Sequence, residues 1–261
     1  MIIVKSSREI ELMKKAGEVV AKVFDTLEPM CVPGISTYEL NKKAEEVIFS
    51  SGCEAPCKGY YGYPAGICVS VNDTLIHGIP SQKIILHEGD IVSLDVVASY
   101  HGYCADATRT FIVGIAKDSV KRLVEVCKEA FFNGISKIKP GAYLGDVQEA
   151  IQKTVESNGY GIARDFTGHG IGAHMHEDPS IPNYGKAGTG PILAKGMALA
   201  IEPMITEGRP QTRVLGDEWT VKTKDGKLSC HYENTVVVTE NGYEIITLTE
   251  KEKQILCPNK I

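Results

Sequence analysis

The sequence lacks the long apolar runs and the excess of positive charge that would point to a membrane or to nucleic acid. No apolar stretch approaches the roughly 20 residues that span a bilayer, and residues 1–9 lack the apolar core of a signal peptide. The 28 lysines and arginines are outnumbered by 33 aspartates and glutamates, which gives a net charge of −5. We therefore expect neither a membrane protein nor a protein that binds nucleic acid through a basic surface.

Closely paired cysteines are also missing. The eight cysteines form neither Cys-x-x-Cys pairs nor a dense framework, and Cys53 with Cys57 alone is a weak zinc motif. They are spread along the chain, at Cys31, Cys53, Cys57, Cys68, Cys104, Cys127, Cys230 and Cys257. Because disulfides persist mainly in oxidising compartments, we expect reduced thiols and a cytoplasmic protein.

The composition that remains is that of a globular protein. The chain has 261 residues, of which 43% are apolar and 23% charged, enough for one large domain or two small ones. Capping-box spacings at Ser6–Glu9 and Ser36–Glu39 each predict the start of a helix, the second ending at Gly52. A later helix is predicted from about Ser119 to Ile138, before Pro140 and Gly141.

A hairpin in the middle of the chain carries two acids. Residues 91–97 and 104–110 are rich in β-branched and small residues, which favour strands. If Tyr100 and His101 form the two-residue loop, Asp95 and Asp106 are directly opposed on one face. Such a pair requires a shared proton, a basic partner or a metal ion. A solvated edge with two unrelated acids is the alternative.

The second half of the chain repeats the first at an interval of 107 residues. Four landmarks recur at this interval: Pro33-Gly34 at Pro140-Gly141, Gly52 at Gly159, Leu86 at Leu193, and Gly89 at Gly196. The same interval carries Asp95 onto Glu202. We therefore predict two related halves, at about 7–114 and 115–245, arranged around a pseudo-two-fold axis.

Two further candidate ligands lie in the second half. Asp225-Gly226 predicts a two-residue hairpin turn, and the strand predicted after it carries Glu233. Four acids are thus expected at related positions of two related hairpins. His169 lies between Gly168 and Gly170, which would let the backbone approach an ion closely. A single histidine such as His169 is more often a structural residue than a metal ligand. A strand glutamate such as Glu233 is usually exposed to solvent.

Together these five side chains suit a pair of divalent cations. Carboxylate and imidazole donors bind Mn, Fe, Co or Zn, and two such ions can share a hydroxide and polarise a carbonyl. The five are Asp95, Asp106, His169, Glu202 and Glu233.

The order of these residues resembles the ligand set of the pita-bread metallopeptidases, and within them type I methionine aminopeptidases. The motifs that carry the resemblance are Tyr60-Tyr61-Gly62-Tyr63-Pro64, Cys68-Val69-Ser70-Val71-Asn72, Ile76-His77-Gly78-Ile79-Pro80, Gly168-His169-Gly170-Ile171-Gly172, His176-Glu177-Asp178-Pro179 and Ala200-Ile201-Glu202-Pro203. The resemblance covers nearly the whole chain. It implies an α+β pita-bread fold in one catalytic domain, residues 1–261.

The resemblance also implies roles for the ligands. Asp106 and Glu233 would bridge two divalent ions, Asp95 would complete one site, and His169 with Glu202 the other. Glu202 would in addition relay a proton from a bridging hydroxide that attacks the scissile carbonyl. A monovalent cation near Asn72 is a further family feature.

Substrate contacts follow from the same resemblance. His77 and His176 would contact the scissile amide. Independently of the resemblance, Glu177 directly follows His176 and could orient its ring without reaching the metals. Six residues would line a pocket for an unbranched thioether side chain: Cys57, Tyr60, Tyr63, Cys68, Met175 and Trp219. The alternatives are core thiols for the two cysteines and a core filler for Trp219. The implied substrate is the N-terminal methionine of nascent polypeptides with a small second residue, which also suggests association with the ribosome.

The chain departs from the family pattern at five positions. The family usually has glycine at 105, arginine at 173, an aromatic residue at 175 and glutamine at 231, and commonly histidine at 61. The residues found there are Tyr61, Ala105, Ala173, Met175 and His231. None is one of the five expected ligands, but Met175 puts the shape of the expected pocket in doubt.

Two alternatives remain open. A proline-directed peptidase, such as prolidase or aminopeptidase P, resembles this site but generally has a large preceding domain. A non-catalytic pita-bread binding module would be expected to lose metal ligands, whereas all five are present here.

Overall fold

The computed structural model describes residues 1–256, so Cys257, one of the expected free thiols, lies outside the described residues. Within that range the helices are α1 (Ser7–Leu27), α2 (Thr37–Ser50), α3 (Asp118–Ile135), α4 (Leu144–Ser157) and α5 (Glu250–Leu256), with short 3-10 helices at Glu28–Met30 and Tyr60–Gly62. The strands are β1 (Cys68–Val71), β2 (Thr74–Ile76), β3 (Ile91–Tyr100), β4 (Tyr103–Ile112), β5 (Gly161–Ile162), β6 (Gly168–Gly170), β7 (Glu177–Ile181), β8 (Ala198–Ile201), β9 (Met204–Thr206), β10 (Thr212–Val214), β11 (Val221–Thr223), β12 (Ser229–His231), β13 (Asn234–Val238) and β14 (Tyr243–Ile245).

The strands form four small antiparallel sheets. Their orders are β1-β3-β4, β10-β11-β2, β12-β9-β5 and β14-β13-β8-β6-β7. Helices α1 and α2 cover the first half, and α3 and α4 the second, each pair packing on its own apolar cluster. This mixture of helices and antiparallel sheets confirms the α+β class.

Both predicted capping boxes are formed. Ser6 accepts from the backbone N–H of Glu9, whose carboxylate returns to Ser6, and Ser36 and Glu39 do the same. These bonds satisfy backbone groups that a helix start would otherwise leave unpaired. The first helix then presents one continuous apolar face to the core, through Met13, Ala16, Val20, Phe24 and Leu27.

The 107-residue interval recurs in the backbone. Helices α2 and α4 begin and end at residues separated by this interval. The Gly34 N–H donates to the Leu86 carbonyl at 2.8 Å, and the Gly141 N–H to the Leu193 carbonyl at the same distance. The isolated bridge between Ser36 and Ile85 likewise returns between 143 and 192. The two halves therefore close their helix pairs onto their strands in the same way.

The register predicted for the central hairpin was wrong. The loop residues are His101 and Gly102, with φ of 48° and 80°, so Asp95 pairs with Thr108 and Asp106 with Val97. Two-residue loops favour positive φ at both positions, which glycine adopts readily, and the strands continue to Tyr100 and Tyr103. Because side chains alternate with a period of two, this shift leaves both aspartates on one face.

The hairpin predicted at Asp225-Gly226 is not formed either. Strand β11, before the turn, pairs with β10 and β2, whereas β12, after it, pairs with β9. Gly226 does adopt a positive φ of 71°, but the chain leaves one sheet and enters another. The strand predicted across Glu233 is divided into β12 and β13.

Strands β8 and β9 are separated at Glu202 and Pro203, opposite the break between β12 and β13. His231 pairs with Met204 and Asn234 with Ile201, so one register holds on both sides. In this register Glu233 lies opposite Glu202, the counterpart of Asp95. Of the two pairs of acids expected at related positions, only Asp95 and Glu202 are found there.

The counterparts in the returning strands differ in chemistry. Asp95 pairs with Thr108 in the first hairpin, so Glu233 occupies the place of Thr108. Asp106 pairs with Val97, and the residue in its place in the second half is His231. The expectation of four acids at related positions was thus wrong for Asp106 and Glu233.

The two halves are joined where β4 meets β13. Thr108 and Glu233 exchange backbone hydrogen bonds at 3.3 and 3.0 Å. The Thr235 hydroxyl accepts from the Asp106 N–H at 2.9 Å and donates to the Asp106 carbonyl at 2.8 Å. These contacts place the carboxylates of one half directly beside those of the other.

Candidate metal centre

All thirteen residues expected at the site line one cavity of about 470 Å³. They are Cys57, Tyr60, Tyr63, Cys68, His77, Asp95, Asp106, His169, Met175, His176, Glu202, Trp219 and Glu233. Residues distant in sequence are thereby brought to one place by both halves of the fold.

His169 reaches the cavity from β6, a strand that requires glycine on both sides. A Cβ atom on Gly170 would collide with the backbone carbonyl of Asp178, and one on Gly168 with that of Ala200. The glycines therefore allow β6 to lie close between its neighbours β7 and β8. That close packing fixes the position of the imidazole.

The tautomer of His169 is set by a backbone group. Its Nδ1 lies 2.9 Å from the Gly170 carbonyl, which only accepts, so Nδ1 carries the proton. The Nε2 lone pair then faces Asp106 Oδ2 at 3.9 Å and Glu202 Oε1 at 3.6 Å. Burial lowers the pKa of His169 to about 3. A neutral imidazole held in this way is a ready metal ligand.

The carboxylates are crowded and poorly partnered. Asp106, Glu202 and Glu233 are buried, and burial together with the neighbouring carboxylates raises the pKa of each well above its ordinary value. Within residues 1–256, Asp106 Oδ1 and Glu233 Oε1 accept no hydrogen bond. Unpaired buried acceptors of like charge are costly unless a cation neutralises them. Four carboxylates and a neutral imidazole therefore fit divalent metal ions.

Arg109 does not supply the neutralising charge, although it lies in the same hairpin. It follows Thr108 on β4, so its side chain lies on the other face of the strand. Its guanidinium pairs with Glu252 at 2.8 Å and donates to the backbone carbonyl of Glu233. The arginine thus stabilises the backbone behind the cluster, while the carboxylates face the cavity.

Sequence reasoning missed one member of the cluster. His231, noted only as a departure, lies 3.4 Å from Glu202 Oε2 and 3.8 Å from Glu233 Oε2 through Nε2. Together with these acids it forms a second group with spacing suited to a metal ion. The signal was present, because His231 lies two residues before Glu233 in one predicted strand and so on the same face.

The two other expected histidines flank the cavity. The His176 ring lies 4.4 Å from that of His169, and its Nδ1 is 2.9 Å from the Tyr60 hydroxyl. Glu177 does not orient this ring as expected. Instead it pairs with Lys5 at 2.7 Å, a buried ion pair. The ring is fixed by a pocket residue, because the Glu177 carboxylate is directed towards the N-terminal segment.

The remaining wall of the cavity is apolar, aromatic and rich in sulfur. Cys57 Sγ lies 4.0 Å from Met175 Sδ, and the Tyr63 ring packs edge-on against Trp219 at 5.1 Å. Five further residues line the cavity without having been expected in the pocket, although two of them lie in the motifs named above: Tyr61, Ile76, Val97, Phe166 and Thr167. Phe166 and Thr167 directly precede the Gly168-His169 motif, which was the available signal.

Two αβ halves around a buried cluster of carboxylates and histidine define a class, the pita-bread metallopeptidases. The sequence profile described as "Metallopeptidase family M24" matches residues 11–240. The chain is 48% identical to a methionine aminopeptidase of Clostridium acetobutylicum, covering 96% of this chain and all of that protein. It is 44% identical to methionine aminopeptidase 1 of Bacillus subtilis, covering 95% and 99%.

Solved structures agree with these matches. The crystal structure of a methionine aminopeptidase from Thermotoga maritima aligns with a TM-score of 0.94 at 46% identity, covering 95% of this chain and all of that one. A prolidase from Pyrococcus furiosus aligns with a TM-score of 0.78 at 27% identity, and only 66% of that chain is covered. The chain belongs to metallopeptidase family M24 and, within it, to the methionine aminopeptidases. The proline-directed alternative is less well supported.

No helix within residues 1–256 combines the length and apolar character needed to cross a membrane.

Proposed function

We propose that this chain hydrolyses the peptide bond after an N-terminal methionine in a metal-dependent reaction. The observation that carries the proposal is the juxtaposition in one cavity of a carboxylate and imidazole cluster with a wall of sulfur and aromatic groups. The cluster suits activation of water, and the wall suits an unbranched thioether side chain. Relatives with this activity cover nearly the whole chain, which supports the same conclusion.

Two divalent ions would be held by the five expected ligands. Asp106 and Glu233 would each offer the ions a buried oxygen that has no hydrogen-bond partner. Asp95 would complete one site, and His169 with Glu202 the other. Bound ions would lower the pKa of a water molecule and polarise the scissile carbonyl. Their identity among Co, Mn, Fe and Zn is left open by this donor set.

The chain's own groups would move and stabilise charge around that centre. Glu202, whose pKa is raised by burial and by Asp95, would accept the proton of the attacking water. His77 and His176 would contact the scissile amide and stabilise the tetrahedral transition state. The Tyr60 hydroxyl, 2.9 Å from Nδ1, holds the His176 ring in place for this role.

The methionine side chain would enter the sulfur-rich end of the cavity. Cys57, Met175 and Cys68 supply polarisable surface there, and Tyr63 and Trp219 supply aromatic edges. Met175 substitutes one flexible thioether for the usual aromatic ring, so the pocket gains adaptability at that position. Restriction to a small second residue rests on the family resemblance.

Four wider features belong to the same proposal. The chain would act as one catalytic domain, 1–261, with halves at 7–114 and 115–245. A cytoplasmic location is supported by seven free cysteines among the described residues. A monovalent cation near Asn72 rests on the family resemblance. Ribosome association follows from the proposed nascent-chain substrate.

Peptidase assays on metal-stripped protein test the proposal. The protein is re-supplied with one divalent metal at a time and given Met-Gly, Met-Ala, Met-Leu and Ala-Pro peptides. We expect cleavage only with added metal, with Met-Gly and Met-Ala preferred. Equal kcat/KM for Met-Ala and Met-Leu would reject the limit on the second residue. Better cleavage of Ala-Pro than of Met-Ala would favour a proline-directed peptidase.

A further inference from the structure

We propose that His231 is a sixth protein ligand of the metal centre, binding through Nε2 the ion shared with Glu202 and Glu233. The inference rests on the proposed metal site but adds a ligand to the five it contains. His231 is buried, with 2% of its surface exposed. Its Nε2 has no hydrogen-bond partner within the described part of the chain.

Distances to the acids distinguish a ligand from a hydrogen-bond donor. Nε2 lies 3.4 Å from Glu202 Oε2 and 3.8 Å from Glu233 Oε2. Hydrogen bonds from nitrogen to oxygen span roughly 2.7–3.2 Å, so both contacts are too long. Two donors bound to one ion at about 2.1 Å, with angles of about 90–110° between them, are separated by about 3.0–3.4 Å. The spacing fits an ion between the groups better than a direct bond.

His169, the expected imidazole ligand, has the same relation to the cluster. Its Nε2 lies 3.6 Å from Glu202 Oε1 and 3.9 Å from Asp106 Oδ2. The Glu202 carboxylate therefore has one imidazole facing each oxygen. Each imidazole nitrogen thus lies 3.4–3.9 Å from Glu202 and from one further carboxylate, which supports the same function for both.

The backbone holds His231 in this position. Thr110 on β4 donates its hydroxyl to the His231 carbonyl at 2.7 Å and accepts from the His231 N–H at 3.3 Å. Strand pairing with Met204 fixes it from the other side. His231 is also the counterpart of Asp106 in the register of the paired strands. The second half thus places an imidazole where the first half places the Asp106 carboxylate.

A second imidazole would change the preference of the centre. Imidazole suits zinc, iron and nickel, whereas a set of oxygens favours manganese and magnesium. Glutamine, usual at this position in the family, offers a neutral amide oxygen in place of a nitrogen. We therefore expect this chain to prefer zinc over manganese more strongly than its His231→Gln variant does.

X-ray absorption at the zinc edge tests the assignment, because scattering by outer ring atoms counts bound imidazoles. Wild-type protein carrying two zinc ions should show about one imidazole per zinc, and His231→Gln about half. A His87→Gln variant, which alters an exposed histidine outside the cavity, should match the wild type. Half an imidazole in the wild type, or no change in His231→Gln, would overturn the proposal.

Calorimetric titration with zinc separates this failure from failure of the metal site itself. Loss of a group that hydrogen-bonds to a metal ligand typically weakens metal binding roughly 10–100-fold. Loss of a ligand itself in His231→Gln should therefore weaken zinc affinity at one site by at least about 100-fold. Two tight sites in both proteins would overturn the role of His231 and leave the metal centre intact. No zinc binding by the wild type would overturn both. Equal melting temperatures of the metal-free proteins establish that His231→Gln folds.

Discussion

The two halves bring carboxylate and histidine side chains to the cavity on antiparallel strand pairs that differ in continuity. In the first half, β3 and β4 pair without interruption along ten residues each. In the second half, the corresponding pairing stops at Glu202-Pro203 and at Tyr232-Glu233, then resumes in the same register. Proline has no N–H to donate to a strand ladder, so Pro203 suits this break.

The difference shows that related positions need not carry related chemistry. Aspartates, with short side chains, lie on the regular strands, and glutamates, one methylene longer, lie at the interruptions. The returning strand of the first half presents Asp106 and Thr108, whereas that of the second presents His231 and Glu233. Backbone symmetry is therefore retained while the donor set has been redistributed between the halves.

Metal removal is the strongest test of the carboxylates that the two halves bring together. Because Asp106 and Glu233 lie together without enough internal partners, we expect a chelator to abolish activity. Metal at about 100 times its Kd should restore about 2.7 kcal/mol of stability. Activity assays and thermal melts measure both effects, with metal-saturated chelator as the control. Full activity in protein shown by elemental analysis to be metal-free would contradict the prediction.

Variants of His169 and His176, both in the second half, separate metal binding from catalysis. His169→Ala should lower metal occupancy and activity together, because its Nε2 faces Asp106 and Glu202. His176→Ala should keep metal affinity near the wild type while kcat falls roughly 10²–10⁴-fold, the range for a lost acid–base group.

Calorimetry with metal, combined with kinetics at saturating metal, decides between the two roles. Loss of a metal in His176→Ala, together with retention of both in His169→Ala, would reverse the assignment of the site.

Much of this arrangement could be predicted from the sequence, because its signals are local. Capping boxes predicted α1 and α2, and the 107-residue interval predicted the related halves. The alternation of side chains placed Asp95 and Asp106 on one face even though the register was wrong. Each of these features depends on a few neighbouring residues, which the sequence displays directly.

The features that were missed depend on contacts between distant segments. The Asp225-Gly226 turn joins two sheets, because β11 pairs with β2 from the first half. His231 enters the cluster because its strand is held opposite Met204 and beside Thr110. A local pattern cannot show which sheet a strand joins. The family resemblance implied five ligands, and His231 was noted only as a departure from the family pattern.

Two threonines that cross between the halves provide a matched pair of variants. The Thr108 hydroxyl donates to Glu233 Oε2 at 2.9 Å, so Thr108→Val should weaken metal binding roughly 10–100-fold. The Thr235 hydroxyl, in contrast, makes its hydrogen bonds with the backbone N–H and carbonyl of Asp106 and not with a cluster carboxylate. Thr235→Val should therefore cost about 1–3 kcal/mol of stability and leave metal affinity nearly unchanged.

Calorimetric titration and denaturant unfolding of both variants measure the contrast. Equal losses of metal affinity in the two would show that the cross-half contacts are not specific to Glu233.

The smallest effect concerns the pH dependence of stability without metal. The pKa values of Asp106, Glu202 and Glu233 are raised by burial and mutual repulsion. The folded chain then retains protons that the unfolded chain has released, so stability falls as the pH rises towards the folded values. The buried histidines act oppositely, with the pKa of His169 lowered to about 3 and of His231 to about 4. Their contribution changes only below about 6.5, where unfolded imidazoles begin to gain protons.

Between about pH 6.5 and pH 8 the buried carboxyl groups, and not the two histidines, therefore determine how the free energy of unfolding changes with pH. We expect metal-free protein to lose stability across this range, by at most about 1.4 kcal/mol per pH unit for each such carboxyl. Metal-loaded protein should lose less, because bound cations favour the ionised carboxylates in the folded state. Denaturant unfolding at several pH values, with chelator or with saturating zinc, measures both slopes. Glu233→Gln should flatten the slope of the metal-free protein, since it removes one titrating group. Identical slopes with and without metal would show that the facing carboxylates of the two halves do not control this dependence.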